Sequence, residues 1–251
     1  MLKVFIGYDP REASAYHVFA HSLITKASQP IAVIPLIQSQ LRDLGLYTRP
    51  PDEKAATEFS LTRFLVPALC DYEGLAIFAD CDMLAMGDVA ELVALVERHQ
   101  EHIKKVQAAQ KRIGGPGCPT DVVWCCMHDY TPKHAVKMDG QPNAAYPRKN
   151  WSSFMVFDCA RCTMLTPEYV NSATPAQLHR FEWAGDSVGG LPLEWNWLVG
   201  EYPPNPDAKI LHYTEGGPWF KETVDCDHRN DWLAEWYRLE LPVRMAQGAF
   251  A

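Results

Sequence analysis

The chain opens on an apolar run, KVFIGY (3–8), and a second, IAVIPLI (31–37), follows after an amphipathic segment. Both runs read as strands. Pro10 opens a helix over residues 11–26, with Tyr16, Phe19, Ala20, Leu23 and Ile24 on one face. Pro35 inside the second run suits an edge strand or a bulge. Residues 38–56 are polar and contain prolines, which predicts a loop, and SLTRFLVPALC (60–70) predicts a helix broken or kinked near Pro67. GLAIFAD (74–80) is a short, fully apolar strand. Asp88 then caps a helix over VAELVALVERHQEHIKKV (89–106), with Val89, Leu92, Val93 and Val96 at helical spacing.

The second half is less regular. IGGPGCPT (113–120) is rich in turn residues, and DVVWCCMHDY (121–130), SSFMVFD (152–158) and KILHY (209–213) are strand candidates. Between the first two of these lies TPKHAVKMDGQPNAAYPRKN (131–150), long and aperiodic, a kind of loop that is often functional or mobile. DWLAEWYRLELP (231–242) reads as an amphipathic helix, with Trp232, Leu233, Trp236 and Tyr237 available for packing or a dimer contact. No internal repeat, low-complexity tract or clean domain boundary is visible. The strand–helix–strand rhythm predicts an α/β fold with a parallel sheet covered on both faces. In such sheets ligands bind beyond the carboxyl ends of strands, where both GYD (7–9) and DCD (80–82) fall.

Composition narrows the function classes. The 251 residues are 47% hydrophobic and 22% charged, ordinary for a soluble globular protein. A net charge of -8 with no basic stripe argues against nucleic acid as a partner. No apolar run approaches the ~20 residues that span a bilayer. The amino-terminal run, interrupted by Asp9, Arg11 and Glu12, reads as a first strand and not as a signal peptide. Cys70, Cys81, Cys118, Cys125, Cys126, Cys159, Cys162 and Cys226 are scattered, which fits reduced thiols in a cytoplasmic protein.

The chemistry concentrates at a few places. Asp80 and Asp82 set two like charges at the end of an apolar strand, where a hard divalent cation such as Mg²⁺ or Mn²⁺ would offset them; a solvated strand end is the plainer reading. A second Asp-x-Asp, in VDCDH (224–228), has no strand before it and reads as loop and capping residues. His212 ends a strand before a Gly-Gly-Pro turn that presents Trp219; it is either a third ligand or a hydrogen-bonded histidine beside an ordinary turn. Trp124, Cys125, Cys126 and His128 read as core and not as a zinc site, because adjacent cysteines on a strand point to opposite faces.

The ordered set FIGYD, SLTRFLVP, IFADCDMLAMGDVAEL, NWSSFMVFD, LPLEWN and HYTEGGPWF resembles the GT-A fold glycosyltransferases, above all family 8, the glycogenin and galactosyltransferase type, over roughly residues 1–220. The resemblance implies a mixed, mostly parallel central sheet flanked by helices in one domain over 1–251. Its nucleotide-binding half would be 1–110, its acceptor and sugar half 111–220, and a helical segment would follow over 221–251. It implies a nucleotide-sugar donor, a UDP-sugar in the first instance, and transfer with retention of configuration. Mn²⁺ or Mg²⁺ would be held by Asp80, Asp82 and His212, with Asp80 also near the ribose or the donor sugar. Gly7, Tyr8 and Asp9 would hold the nucleoside and Arg11 a phosphate. Cys81, Gly217, Trp219 and Lys221 would complete the nucleotide site. Asn150, Ser152 and Ser153 would meet sugar hydroxyls. Arg63 would point to the donor sugar or the aspartates, and Asp186 would contact sugar hydroxyls or act as base or electrostatic stabiliser. Two departures mark a divergent branch: the last motif has no Lys before Pro218, and no acidic–Gln pair is evident beyond Asp186 and Glu182. The acceptor, whether glycan, lipid or small molecule, is therefore not inherited, and contact with a membrane surface or a second copy stays open. The rival readings are a haloacid dehalogenase-like phosphatase and a non-catalytic sugar-nucleotide-binding or scaffold protein.

Overall fold

The computed structural model describes residues 1–51, 56–112, 120–137, 140 and 143–246. Most of the turn-rich segment, with Cys118, and four residues of the long polar stretch (138, 139, 141 and 142) lie outside the described residues. The strands are β1 (Leu2–Gly7), β2 (Ile31–Leu36), β3 (Leu75–Ala79), β4 (Met83–Ala85), β5 (Val123–Cys126), β6 (Phe154–Asp158), β7 (Val188–Leu191), β8 (Trp197–Leu198) and β9 (Ile210–His212). The helices are α1 (Ala13–Lys26), α2 (Gln38–Asp43), α3 (Val66–Leu69), α4 (Val89–Arg112), α5 (Pro167–Ser172), α6 (Pro175–His179) and α7 (Arg229–Ala246).

Six strands form the main sheet in the order β2-β1-β3-β6-β5-β7. β1 pairs in parallel with β2 and β3, and β5 with β7; β6 alone of the six runs against its neighbours. The expected mixed, mostly parallel α/β sheet is therefore present. Its inner strands β1, β3, β6 and β5 are buried on both faces over most of their length, while the edge strand β2 is largely half-buried. β2 is the outermost strand on its side, so Pro35 lacks an N–H where no further strand needs one. Cys125 and Cys126 are both fully buried on β5, core residues on opposite faces, and the seven cysteines among the described residues are free thiols.

A second sheet of three strands, β4-β9-β8, decides where the site lies. β4 follows β3 after the three residues Asp80, Cys81 and Asp82 and pairs antiparallel with β9, Met83 opposite His212. The Tyr213 N–H donates to the Asp82 carbonyl at 2.8 Å, which pins the Asp-x-Asp turn to the end of β9. Two stretches 130 residues apart in sequence are thereby joined.

Two local expectations need correction, the inward face of α1 and the loop at 38–43, and two boundaries are sharpened. On α1, Ile24 is 58% exposed while Val18 and Ser22 are buried. The helix is covered on a second flank by β4, and Ser22 Oγ accepts the Ala85 N–H at 3.0 Å. In segment 60–70 the break precedes Pro67: a 3-10 turn at Thr62–Leu65 runs into α3, whose first turn holds Pro67, where a missing N–H costs nothing. Residues 38–43 form α2 and not loop, because Leu41 finds the core. α7 starts at Arg229, two residues before Asp231. Asp88 does cap α4, accepting the Ala90 N–H at 2.9 Å, and Val89, Leu92 and Val96 are buried.

Candidate active site

The carboxyl ends of β3 and β9 bring Asp80, Asp82 and His212 together, with one ligand atom from each lying within 4.8 Å of the others. Asp82 and His212 are buried and Asp80 is half-buried. Arg63 Nη1 lies 2.8 Å from Asp80 Oδ1, and His212 Nε2 lies 3.3 Å from Asp82 Oδ1. Neither Oδ1 receives a directional hydrogen bond, although both are buried. Burial lifts the Asp80 carboxyl to about 6, against the pull of Arg63 and with the push of Asp82. Burial acts on Asp82 too, but a protonated His212 beside it outweighs that burial and holds its carboxyl below the ordinary value.

The proton on His212 is placed by a relay. Ser153 Oγ donates to the Asn150 carbonyl at 2.7 Å and so can accept from Asn196 Nδ2 at 2.9 Å. The Asn196 carbonyl oxygen then faces His212 Nδ1 at 2.9 Å, which must carry the hydrogen. In the neutral ring, the form that binds a metal, Nε2 is left to present its lone pair on the side of Asp82. Two buried carboxylate oxygens and an imidazole nitrogen, oriented from behind and poorly satisfied among themselves, fit a divalent cation of the Mn²⁺ or Mg²⁺ class.

These residues floor a cleft of about 560 Å³ that extends past Asn150, Ser152, Ser153 and Thr214 on one side and Arg11 and Arg42 on the other. Asn150 takes a left-handed conformation, φ 60°, at the entry to a 3-10 turn over Trp151–Ser153. That turn aims the Ser152 carbonyl at Arg63 Nη1, 2.8 Å away, and the Ser152 hydroxyl at His179 Nδ1, also 2.8 Å away. Burial, helped by the charge of Arg63, drops His179 to about 3, so it is neutral. The Arg63 guanidinium lies over the Phe78 ring at 4.9 Å, held by packing as well as charge.

The cleft gathers Arg11, Arg63, Asp80, Asp82, Asn150, Ser152, Ser153 and His212 from the expected set. The other expected residues do not line it. Gly7 is pressed against Phe59, where a Cβ would come within 2.3 Å of the ring, so its glycine serves packing. Tyr8 is half-buried with its ring edge-on to Tyr16. Asp9 is 1% exposed and accepts from the Arg11 backbone, the Arg11 guanidinium and the Glu58 N–H, capping the turn at Pro10–Glu12. Cys81 points into the core, its Sγ 3.7 Å from Glu12 Oε2. Gly217 lies under the Trp219 ring, and Trp219 packs with Tyr213 and Trp232. Lys221 and Asp186 are exposed, each in a turn away from the cleft. Sequence reasoning overlooked Asn196, Glu12, His179 and Lys137. Asn196 closes the LPLEWN motif, and that position was its available signal. Glu12 is a buried carboxyl raised to about 8 by burial and by Asp82 and Asp9, and nothing in its own neighbourhood in the sequence marks it.

No family model matches the chain. Protein CDI of Arabidopsis thaliana is 42% identical over 241 residues, covering 93% of this chain and 85% of that protein. The chain belongs to the Protein CDI family. Among solved structures, the WbbM bifunctional glycosyltransferase is similar with a TM-score of 0.62 at 16% identity, covering 97% of this chain. The glycosyltransferase GlyE of Streptococcus pneumoniae TIGR4 is similar with a TM-score of 0.54 at 13% identity, covering 99% of this chain. The chain spans 51% of the WbbM chain and 65% of the GlyE chain. At these identities the likeness is one of fold: this chain has the GT-A-like architecture of those glycosyltransferases. Among the described residues no helix is long and apolar enough to cross a membrane.

Proposed function

We propose that this member of the family is a metal-dependent glycosyltransferase that moves a sugar from a nucleoside diphosphate sugar, first of all a UDP-sugar, to an acceptor hydroxyl. The observation that carries the reading is the Asp80–Asp82–His212 set on the floor of the cleft, with its unsatisfied carboxylate oxygens and its oriented imidazole. The fold shared with glycosyltransferases supports it over the phosphatase reading. A divalent ion held there supplies Lewis-acid stabilisation of the leaving diphosphate. The chain's own residues do the rest. Asp82 and His212 offer the more buried ligand atoms. Arg63 holds Asp80 in place from the wall of the cleft and sets a fixed positive charge beside it. Asn150 and Ser152 present polar groups to the sugar, while Ser153 acts through Asn196 on His212. In transfer, the bond from the anomeric carbon to the diphosphate oxygen breaks, and a bond to the acceptor oxygen forms. The acceptor's proton leaves to the departing phosphate. Retention of configuration belongs to this reading, and proton NMR of the first-formed product checks it.

Calorimetric titration with UDP and GDP, each with and without Mn²⁺, tests the site on the wild type and Asp82→Asn. The reading requires metal-dependent nucleoside diphosphate binding that the variant loses by at least about tenfold. Absence of nucleotide binding under every metal condition would sink it.

A further inference from the structure

Four cationic side chains line the cleft among the described residues: Arg11, Arg42, Arg63 and Lys137. Three are committed. Arg11 is bonded to the Asp9 carboxylate and to the Ala56 carbonyl. Arg42 donates to Gln38 Oε1 and to the Arg49 carbonyl and lies over the Tyr47 ring. Arg63 is held by Asp80 and the Ser152 carbonyl. Lys137 is half-buried, and among the described residues its ammonium meets no acceptor and no carboxylate within bonding distance. It lines the same cleft as Asp80 and Asp82, and its charge favours the ionised form of both carboxyls.

The chain before Lys137 is firmly placed. The Lys133 N–H donates to Glu201 Oε2 at 3.1 Å, and Lys133 Nζ to the Gly200 carbonyl at 2.6 Å. His134 Nδ1 lies 3.0 Å from the Glu215 carboxylate, and the Asn143 N–H donates to the Ala135 carbonyl at 2.9 Å. Glu201 is 6% exposed, and Glu215 follows His212 by three residues, so this strap is tied to the end of β9, the strand that carries the imidazole.

We infer that Lys137 is a catalytic residue of this cleft: its ammonium takes the phosphoryl oxygens of the nucleoside diphosphate as it leaves. The inference rests on the proposed glycosyltransferase reading. A lysine that lines a cleft holding two carboxylates, and that has no ion-pair partner among the described residues, is a point charge suited to an anion, and phosphate is the anion it fits. When the bond from the anomeric carbon to the phosphate oxygen breaks, the electron pair stays on that oxygen. Lys137 donates a hydrogen bond to the diphosphate and remains protonated, while the acceptor's proton goes to phosphate. Lys221 is exposed and does not line the cleft.

Calorimetry on the full chain tests the assignment with three probes: Mn²⁺ alone, UMP with Mn²⁺, and UDP with Mn²⁺, or GMP and GDP if only guanine nucleotides bind. Lys137→Met is expected to keep Mn²⁺ affinity within about twofold while weakening the diphosphate roughly 10–100-fold, the cost of one charge-assisted hydrogen bond. The monophosphate should change by less than about threefold, and Lys137→Arg should recover most of the loss. Unchanged diphosphate affinity in Lys137→Met, with the wild type binding, overturns the inference and leaves the parent reading standing. Equal loss of Mn²⁺ alone also overturns it, since Lys137 then serves the carboxylates. A wild type that binds no nucleoside diphosphate overturns the parent reading and this one together. Lys137→Arg also guards against a folding defect in the methionine variant.

Discussion

At the scale of single residues, the site depends on groups that touch nothing reactive. Asn196 is fully buried and holds the hydrogen on His212 Nδ1. Asn196→Ala leaves that nitrogen without an acceptor and the ring free to turn. Calorimetric titration should show Mn²⁺ affinity falling about 10–100-fold, the usual effect of removing the group that orients a metal-binding imidazole. Glu12 gives a pH signature of its own. Its carboxyl rises from 4.5 to about 8, so between those values the folded protein holds a proton that the unfolded chain has released. Stability from this group is fully present below 4.5 and is lost as pH rises toward 8, by about 1.4 kcal/mol for each unit crossed. Glu12→Gln removes that slope. Urea denaturation in the presence of EDTA should find the variant close to the wild type near pH 5 and more stable than it near pH 9. Asp80 and Asp82 were legible as a site because two like charges after an apolar run demand an explanation that stays within five residues. Gly7 was not, because Phe59, which forbids it a Cβ, is 52 positions away.

At the scale of elements, α7 shows how a helix is fixed by one buried charge. Glu235 is 2% exposed, and its carboxylate lies 2.7 Å from His21 Nδ1, 2.9 Å from Arg238 and 3.6 Å from Lys26. Burial works to raise its carboxyl, but the His21 hydrogen bond and the two cations outweigh that and lower it. Glu235→Gln unpairs these donors at the α1–α7 contact and should cost about 2–4 kcal/mol at pH 7. The stabilisation is present above the ordinary carboxylate value of 4.5 and is lost as pH falls through the lowered one. The gap between variant and wild type in equilibrium denaturation should therefore narrow toward pH 3. Most elements could be read from the chain. Apolar runs made strands, Asp88 made a cap, and Pro35 marked an edge. The errors share one cause. Ile24 was placed inward and Val18 ignored because a single apolar face was assumed, whereas α1 lies between the main sheet and β4. α2 was missed because six residues carry too little periodicity to outweigh the surrounding polar residues.

At the scale of the whole molecule, the sequence was enough for the α/β class, the mostly parallel sheet and the strand ends where chemistry gathers. Those features follow from local apolar periodicity and from the rule that a buried parallel sheet must be covered on both faces. The order of motifs along the chain was enough to point to the glycosyltransferase-like fold. Tertiary structure alone decided the rest. The pairing of β4 with β9 brought His212 against Asp82, and the crossing of Trp151–Ser153 toward Arg63 closed the wall of the cleft. The same folding turned Asp9, Gly7, Cys81 and Trp219 away from the cleft and into packing and capping. It also brought Lys137 to the cleft through contacts with Glu201 and Glu215, 68 and 81 positions further along the chain than the residues they hold. Spacing along a chain specifies what lies within a turn or two. Which distant carboxylate, imidazole and ammonium meet is set by sheet order and register, which no local pattern contains.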